Sequence, residues 1–589
     1  MGKTVRIGCS SAFWGDTSTA AAQLVESGNI DYLVADYLAE ITMSILALKR
    51  MRDPKAGYCE DFVQVLAPLL QSIKSQGIRV AANAGGLNPQ ACRDALAAAA
   101  EQAGVDLKIA AVTGDDLLPR QAEFSHCVDM DTGAEMPRGL VTMNAYLGAL
   151  PVRDALLAGA DIVVTGRCAD SALVLGPLMA EFGWGEEDYD RLSAGSLAGH
   201  IIECGAQCTG GNFTDWEQVP GFDNMGFPIV EVEPDGQFTV TKPEGTGGLV
   251  TPLTVGEQLV YEIADPGAYI LPDVVCDWTQ VRLEAAGEDR VRVAGARGRP
   301  PTGQYKVSAT YPSGFRSLAS FVVGGLDAAS KGRAAAEALL KKIGRLLDAR
   351  GLGGFLQTQI EIVGAEAMYG PHSAASTREV TVRIVATHAN RDALKLFGRE
   401  IAQAATGMVP GITGYSGRPS VTPIVRLFTT LVPKAQLSAA IVSDDGEHPV
   451  AIPTEFAGDD VSPADAGSGQ PPASDAAVSV PLVRLAVARS GDKGDHSNIG
   501  VIARDPAYLP YIEQALTAEA VAAYFEHLLA GDVTRWAMPG IGGFNFLLRH
   551  SLGGGGVASL RTDPQGKCHA QMLLSYPIPV SAEIASRFD

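Results

Sequence analysis

The sequence predicts an α/β fold with an N-terminal α/β domain built on a parallel sheet and an α+β middle part. A linker and a small C-terminal α+β domain follow. Three observations carry this. Short, continuous apolar strands alternate with helical stretches through the first third, the pattern of a sheet covered on both faces. Near residue 220 the alternation gives way to strand pairs and longer helices. The run AGDDVSPADAGSGQPPASDAA at 457–477 has almost nothing to bury and separates a last patterned segment. The expected divisions are 1–279, 280–456, the linker 457–478, and 479–589.

The strand signals of the first part are Thr4–Cys9, Ile30–Asp36, Ile78–Ala82, Leu107–Val112 and Asp161–Thr165. Helix signals fall between them, at Asp16–Glu26, Phe62–Ser75, Pro89–Ala103, Val152–Ala158 and Cys168–Phe182. Periodicity does not separate an open doubly wound sheet from a barrel. Phe227–Val232 and Gln237–Thr241 read as a strand pair around the turn Pro234-Asp235-Gly236, and Thr254–Ile263 as a capped helix. The middle part mixes strands at Tyr305–Ala309 and Glu379–Val385 with helices at Asp327–Asp348 and Asp392–Ala405. Beyond the linker, strands Val483–Ala488 and Asn498–Ala503 flank a polar loop, with two helices and further strands behind them.

Composition narrows the function. Hydrophobic residues are 46% and charged residues 19% of the 589, an ordinary globular balance. The net charge is −21 and no Lys/Arg run stands out, which argues against a nucleic-acid partner. No signal-peptide core or membrane-spanning apolar run is visible, and the nine cysteines form no CxxC pair. A cytoplasmic protein with reduced thiols and no membrane partner is expected, and its long Ala-rich α/β chain suggests a homo-oligomer.

Glycine-rich turns follow the predicted strands, where open α/β sheets bind ligands. Asn83, Gly85 and Gly86 follow one strand, Gly114 and Asp115 another, and Gly166, Arg167 and Asp170 a third. Such turns offer free N–H groups to an anion. No G-x-G-x-x-G, G-K-[ST], G-x-S-x-G or H-E-x-x-H motif accompanies them, so no cofactor is assigned. On the stretch GHIIECGAQCTGGNF, His200, Glu203 and Gln207 share one helical face with Cys204 alongside, which suits an acid/base group. Metal binding through that face is a further reading, but no second ligand cluster matches it, and no metal is assigned. Lys242 beside Gly247 and Gly248 forms another anion-seat candidate. In the C-terminal loop, Arg489 and Lys493 are placed to meet an anionic group, and Asp492 and His496 to move protons. The catalytic candidates are therefore His200, Glu203, Asp115 and Asp170.

The stretches FWGD, DYLVADYLAEITM, NAGGLNP, VTGDDL, GADIVVTGRCADSAL, GHIIECGAQCTGGNF, TGGLVTPLTVGEQLVYEIADP and YILPDV, in this order, closely resemble the acyclic terpene utilisation (AtuA) family. The segment ARSGDKGDHSNIGVIAR resembles the ferredoxin-like domain that accompanies that family, fused or as a separate short protein. The resemblance implies a place in bacterial degradation of acyclic terpenes such as citronellol and geraniol, whose intermediates are branched acyl-CoA thioesters. It carries over no catalytic residue. A lyase or hydratase acting by proton transfer on a branched acyl-CoA or carboxylate is expected, with a coenzyme A thioester as substrate. The alternative is a noncatalytic binding or assembly subunit of such a pathway.

Overall fold

The computed structural model describes residues 3–27, 29–373, 377–456 and 478–588. The expected linker therefore lies, up to residue 477, outside the described residues. The centre is a five-stranded parallel sheet in the order Val5–Cys9, Tyr32–Ala35, Arg79–Ala82, Ile162–Thr165, Ile109–Thr113. Its Val-, Ile- and Ala-rich strands are buried almost throughout because helices cover both faces. Parallel pairing sets every carboxyl end along one edge, so all the strand-end turns gather there. The sheet is open rather than a barrel.

Local signals explain the helices that flank it. In Pro89–Ala103 the Asn88 side chain accepts from the Ala91 N–H at 3.3 Å, and Pro89 stands where no intrahelical donor is needed. The helix expected over Phe62–Ser75 is two, Glu60–Leu66 and Leu70–Gln76, joined by a 3-10 turn containing Pro68. Proline removes a donor and crowds the preceding turn, so the helix is interrupted there. The helix expected from Cys168 begins at Ala172, and that expected to Ile263 ends at Leu259.

Antiparallel strands extend the central sheet to eleven. Ile229–Val232, Phe238–Thr241, Val291–Ala294 and Arg282–Ala285 add to one edge, and Ala439–Ser443 with Gly446–Val450 to the other. These additions satisfy backbone groups that an open sheet edge would leave unpaired. In return, Thr142–Ala145 pairs with the long strand Gln304–Gly324 of the second, six-stranded sheet. Both sheets thus cross residue 279. Helices Ala328–Ala349 and Arg391–Glu400 pack on the second sheet through Leu339, Ile343, Leu394 and Phe397.

The C-terminal domain is a four-stranded antiparallel sheet in the order Ala486–Lys493, His496–Ala503, Gly543–Leu548, Val533–Met538. The polar stretch expected as a loop, Arg489–Asn498, is instead a continuous hairpin. Arg489 faces Gly500, Lys493 faces His496, and Gly494 makes the turn at φ +64°. The strand persists because its buried polar side chains are satisfied across the domain boundary. Asn498 Nδ2 donates to the Val260 carbonyl at 2.6 Å, and Asn545 Nδ2 to the Ile263 carbonyl at 3.0 Å. An added Cβ on Gly500 would come within 2.1 Å of Val260, so glycine is what lets the two domains approach.

Candidate active site

The strand ends and the C-terminal hairpin converge on one cluster of titratable side chains. Asp36 follows Tyr32–Ala35, and its Oδ1 accepts from Asn83 Nδ2 at 2.6 Å. Asn83 Oδ1 in turn accepts from the Tyr37 N–H at 2.7 Å, which ties two strand-end turns together. Arg167, after Ile162–Thr165, is 5% exposed and sits 4.2 Å over the Tyr146 ring. Its guanidinium donates to the Leu38 carbonyl and, at 3.2 Å, to Asp170. The Arg167 N–H and Asn144 Nδ2 both reach Asp115 Oδ2 at 2.8 Å. Burial lifts the Asp115 carboxyl to about 7 despite those two donors.

The helix Tyr189–Glu203 brings His200 and Glu203 to the same place from below. His200 is 2% exposed and stacks on Trp278, with ring centroids 5.2 Å apart. Its Nε2 lies 3.3 Å from the Leu259 carbonyl and its Nδ1 3.0 Å from Glu203 Oε1. Burial, and then the Lys493 charge, depress His200 to about 4, so the ring is neutral near pH 7. A carbonyl only accepts, which assigns the ring proton to Nε2 and leaves Nδ1 as an acceptor. The proton in the other bond must then reside on Glu203. Burial, and then neighbouring Asp170, hold that carboxyl well above its ordinary range, in agreement. Asp36 is raised likewise, by burial first and Asp170 second.

The opposite wall comes from the C-terminal domain. Lys493 reaches the edge of Tyr269, 5.4 Å from the ring centroid, where it hydrogen-bonds the hydroxyl. Burial opposes its charge, but Tyr269, Glu262 and Glu203 hold the ammonium above its ordinary range. Lys567 Nζ meets Glu262 Oε1 at 3.0 Å and also bonds the Tyr261 hydroxyl. Glu262 shows the converse balance. Burial alone pushes it up, yet Lys567 and Lys493 outweigh that and keep it a carboxylate. Its backbone is in the left-handed region at φ +54°, held by the Glu262 N–H to Asn498 Oδ1 at 2.9 Å. Burial, then Glu203, keep the Cys204 thiol protonated.

Of the residues singled out in the sequence, Asn83, Asp115, Arg167, Asp170, His200, Glu203 and Lys493 come together here. The others border the cluster or lie outside it. Arg489 is a buried cross-domain strut, 3.3 Å from Glu257 and donating to Gln207 Oε1 at 2.8 Å. Lys242 pairs with Asp289 at 2.9 Å and with the Thr246 carbonyl at 3.0 Å. Gly247 and Gly248 are packed against the Gly221 and Thr209 carbonyls. The space beside Gly85, Gly86, Gly114 and Gly166 is likewise filled by protein, at Gly166 by the Asp115 carboxylate itself. Asp492 lies near Lys567, at 3.8 Å, and His496 faces Asp131 at the same distance.

Sequence reasoning passed over Asp36, Glu262, Tyr269 and Lys567. Asp36 closes a strand exactly as the others do and was reachable by that signal. Lys567 sits in a turn of the last domain, and nothing local marks it. Among the described residues, no group of three or more His, Cys, Asp and Glu side chains is arranged to hold a metal ion, and no helix is long and apolar enough to cross a membrane.

Comparison with known proteins agrees with this two-part construction. Residues 5–443 match the model of the acyclic terpene utilisation family protein AtuA, and residues 480–579 that of the AtuA ferredoxin-like domain. No curated protein and no solved structure matches the chain. The family model covers the five parallel strands, the second sheet and every N-terminal residue of the cluster, and the chain belongs to the acyclic terpene utilisation family.

Proposed function

We propose that this protein is an enzyme of acyclic terpene catabolism that moves a proton on a branched acyl-CoA or related carboxylate, as a hydratase or lyase. The observation that carries this reading is the opposed state of two neighbouring carboxyls. Glu203 is held protonated and Glu262 ionised, with Lys493 close enough to influence both. Groups pushed apart in this way supply an acid and a base at one pH. In a hydration, Glu203 gives its proton to the α-carbon of an enoyl group while water adds at the β-carbon. Glu262 takes the proton that the water loses, and Lys493 stabilises negative charge on the carbonyl oxygen. His200 keeps Glu203 oriented and hydrogen-bonded between turnovers.

The test is turnover of branched enoyl-CoA substrates by the purified full chain. His200→Ala and Glu203→Gln should each lower it by about a hundredfold or more with the fold retained; unchanged turnover in either variant overturns the assignment. Mass spectrometry of molecules retained by the native protein identifies the substrate directly.

A homo-oligomer belongs to the same proposal. Ile41, Ile45, Leu48 and Met51 form an exposed apolar face along the helix Glu40–Arg52. Light scattering should give a multiple of the chain mass that Ile45→Glu reduces.

A further inference from the structure

A buried polar face borders the candidate active site where the strand Thr142–Ala145 pairs with Gln304–Gly324. Thr142 stands opposite Thr310 and Asn144 opposite Ser308. Alternate residues of a strand and their antiparallel partners share one face, so these four side chains sit together. Each is at most 9% exposed. The Asn144 amide is only half satisfied. Its Nδ2 donates to Asp115 Oδ2 at 2.8 Å, while its Oδ1 is buried with no hydrogen-bond partner among the described residues. An acceptor left in that state is costly, because it gave up water and gained nothing. Thr142 Oγ1 and Thr310 Oγ1 lie 2.7 Å apart. That bond uses one of their two hydroxyl hydrogens and leaves the other for a third oxygen. With Met43 and Arg167, the four side chains line a small pocket that opens about 10 Å³ to the centre of a water-sized molecule. One water needs about that much room, and an organic ligand needs far more.

We propose that this pocket is the site of one ordered water molecule, which donates to Asn144 Oδ1 and accepts from the Thr142–Thr310 hydroxyl pair. Neighbours on such a face stand about 5–7 Å apart. A single water spans that gap with a hydrogen bond of about 2.8 Å on either side. The choice of water follows from the walls. The Arg167 guanidinium disfavours a cation and the Asn144 oxygen an anion, whereas a neutral molecule that both donates and accepts suits each side. The water also has a positioning role. It holds the Asn144 amide in the orientation that turns Nδ2 toward Asp115, whose Oδ2 also takes the Arg167 N–H at 2.8 Å. The turn that carries Arg167 is thereby fixed from behind.

A crystal structure of the full chain, at a resolution that shows ordered water, tests this. One water within hydrogen-bond distance of Asn144 Oδ1 and of the Thr142 or Thr310 hydroxyl is expected in every copy. The paired variant Thr142→Val, Thr310→Val keeps the shape of the pocket and removes both hydroxyls, and in it that water should be lost. A parent structure in which Asn144 Oδ1 meets a protein donor, or in which no water lies against it, overturns the proposal. So does a water that persists in place in the paired variant. If that variant does not fold, the parent structure decides by itself. Neither measurement reads turnover, so this site and the proposed reaction fail independently.

Discussion

The Glu203 proton is fixed by two bonds on one imidazole. Because Nε2 of His200 faces a carbonyl, Nδ1 receives, and the carboxyl beside it stays acidic. Glu203→Gln retains a donor toward Nδ1 but has no proton to transfer. Its kcat should fall by about 10²–10⁴, with circular dichroism unchanged. Two of these residues contribute to the pH dependence of stability with opposite signs. His200 titrates at about 4 in the folded chain against 6.5 when free, so stability is lost as pH falls from 6.5 through about 4. Asp115 titrates at about 7 against 3.8, so its contribution is present at low pH and is lost as pH rises from 3.8 through about 7. Urea midpoints across this range should flatten on the acid side in His200→Gln and on the neutral side in Asp115→Asn.

At the scale of elements, the hairpin Ala486–Ala503 decides whether the second wall of the site exists. Its strands dock so closely that Gly491 abuts Glu262 and Gly500 abuts Val260. Gly500→Ala forces a methyl into occupied space and should destabilise the protein by about 1–3 kcal/mol, read as a lower urea midpoint. The same element shows the reach of local sequence signals. Pro89–Ala103 was legible to the residue because Asn88, Pro89 and Gly104 act on their own neighbours. Arg489–Asn498 was not, because so polar a strand is stable only when Val260, Glu262 and Glu257 satisfy it from another domain.

For the molecule as a whole, the buried Arg489–Glu257 contact ties the family's two parts together. Glu257 is fully buried and Arg489 is 6% exposed. Arg489→Met leaves an uncompensated charge and should cost about 3–5 kcal/mol. Adding Glu257→Met should recover part of that loss, which a double-mutant cycle of denaturation energies measures. Arg504 and Asp215 form a second, bidentate cross-domain pair, with Nη2 to Oδ1 at 2.6 Å. The C-terminal domain is therefore held in one register, and Lys493 and Lys567 with it.

The alternation of strands and helices in the first third, the parallel centre and the family were determined by the sequence alone. Apolar period, caps and turn residues act over a few positions, and a string displays them. The strand-end argument also put Asn83, Asp115, Arg167 and Asp170 in one place, because parallel pairing sets all such ends on one edge. Which of those turns would carry a proton was decided by tertiary structure. The state of Glu203 depends on Leu259, Asp170 and Lys493, and that of Glu262 on Lys567, 305 positions away. Charge and desolvation act through space over a few ångströms, and the sequence does not state which distant residues will share that space.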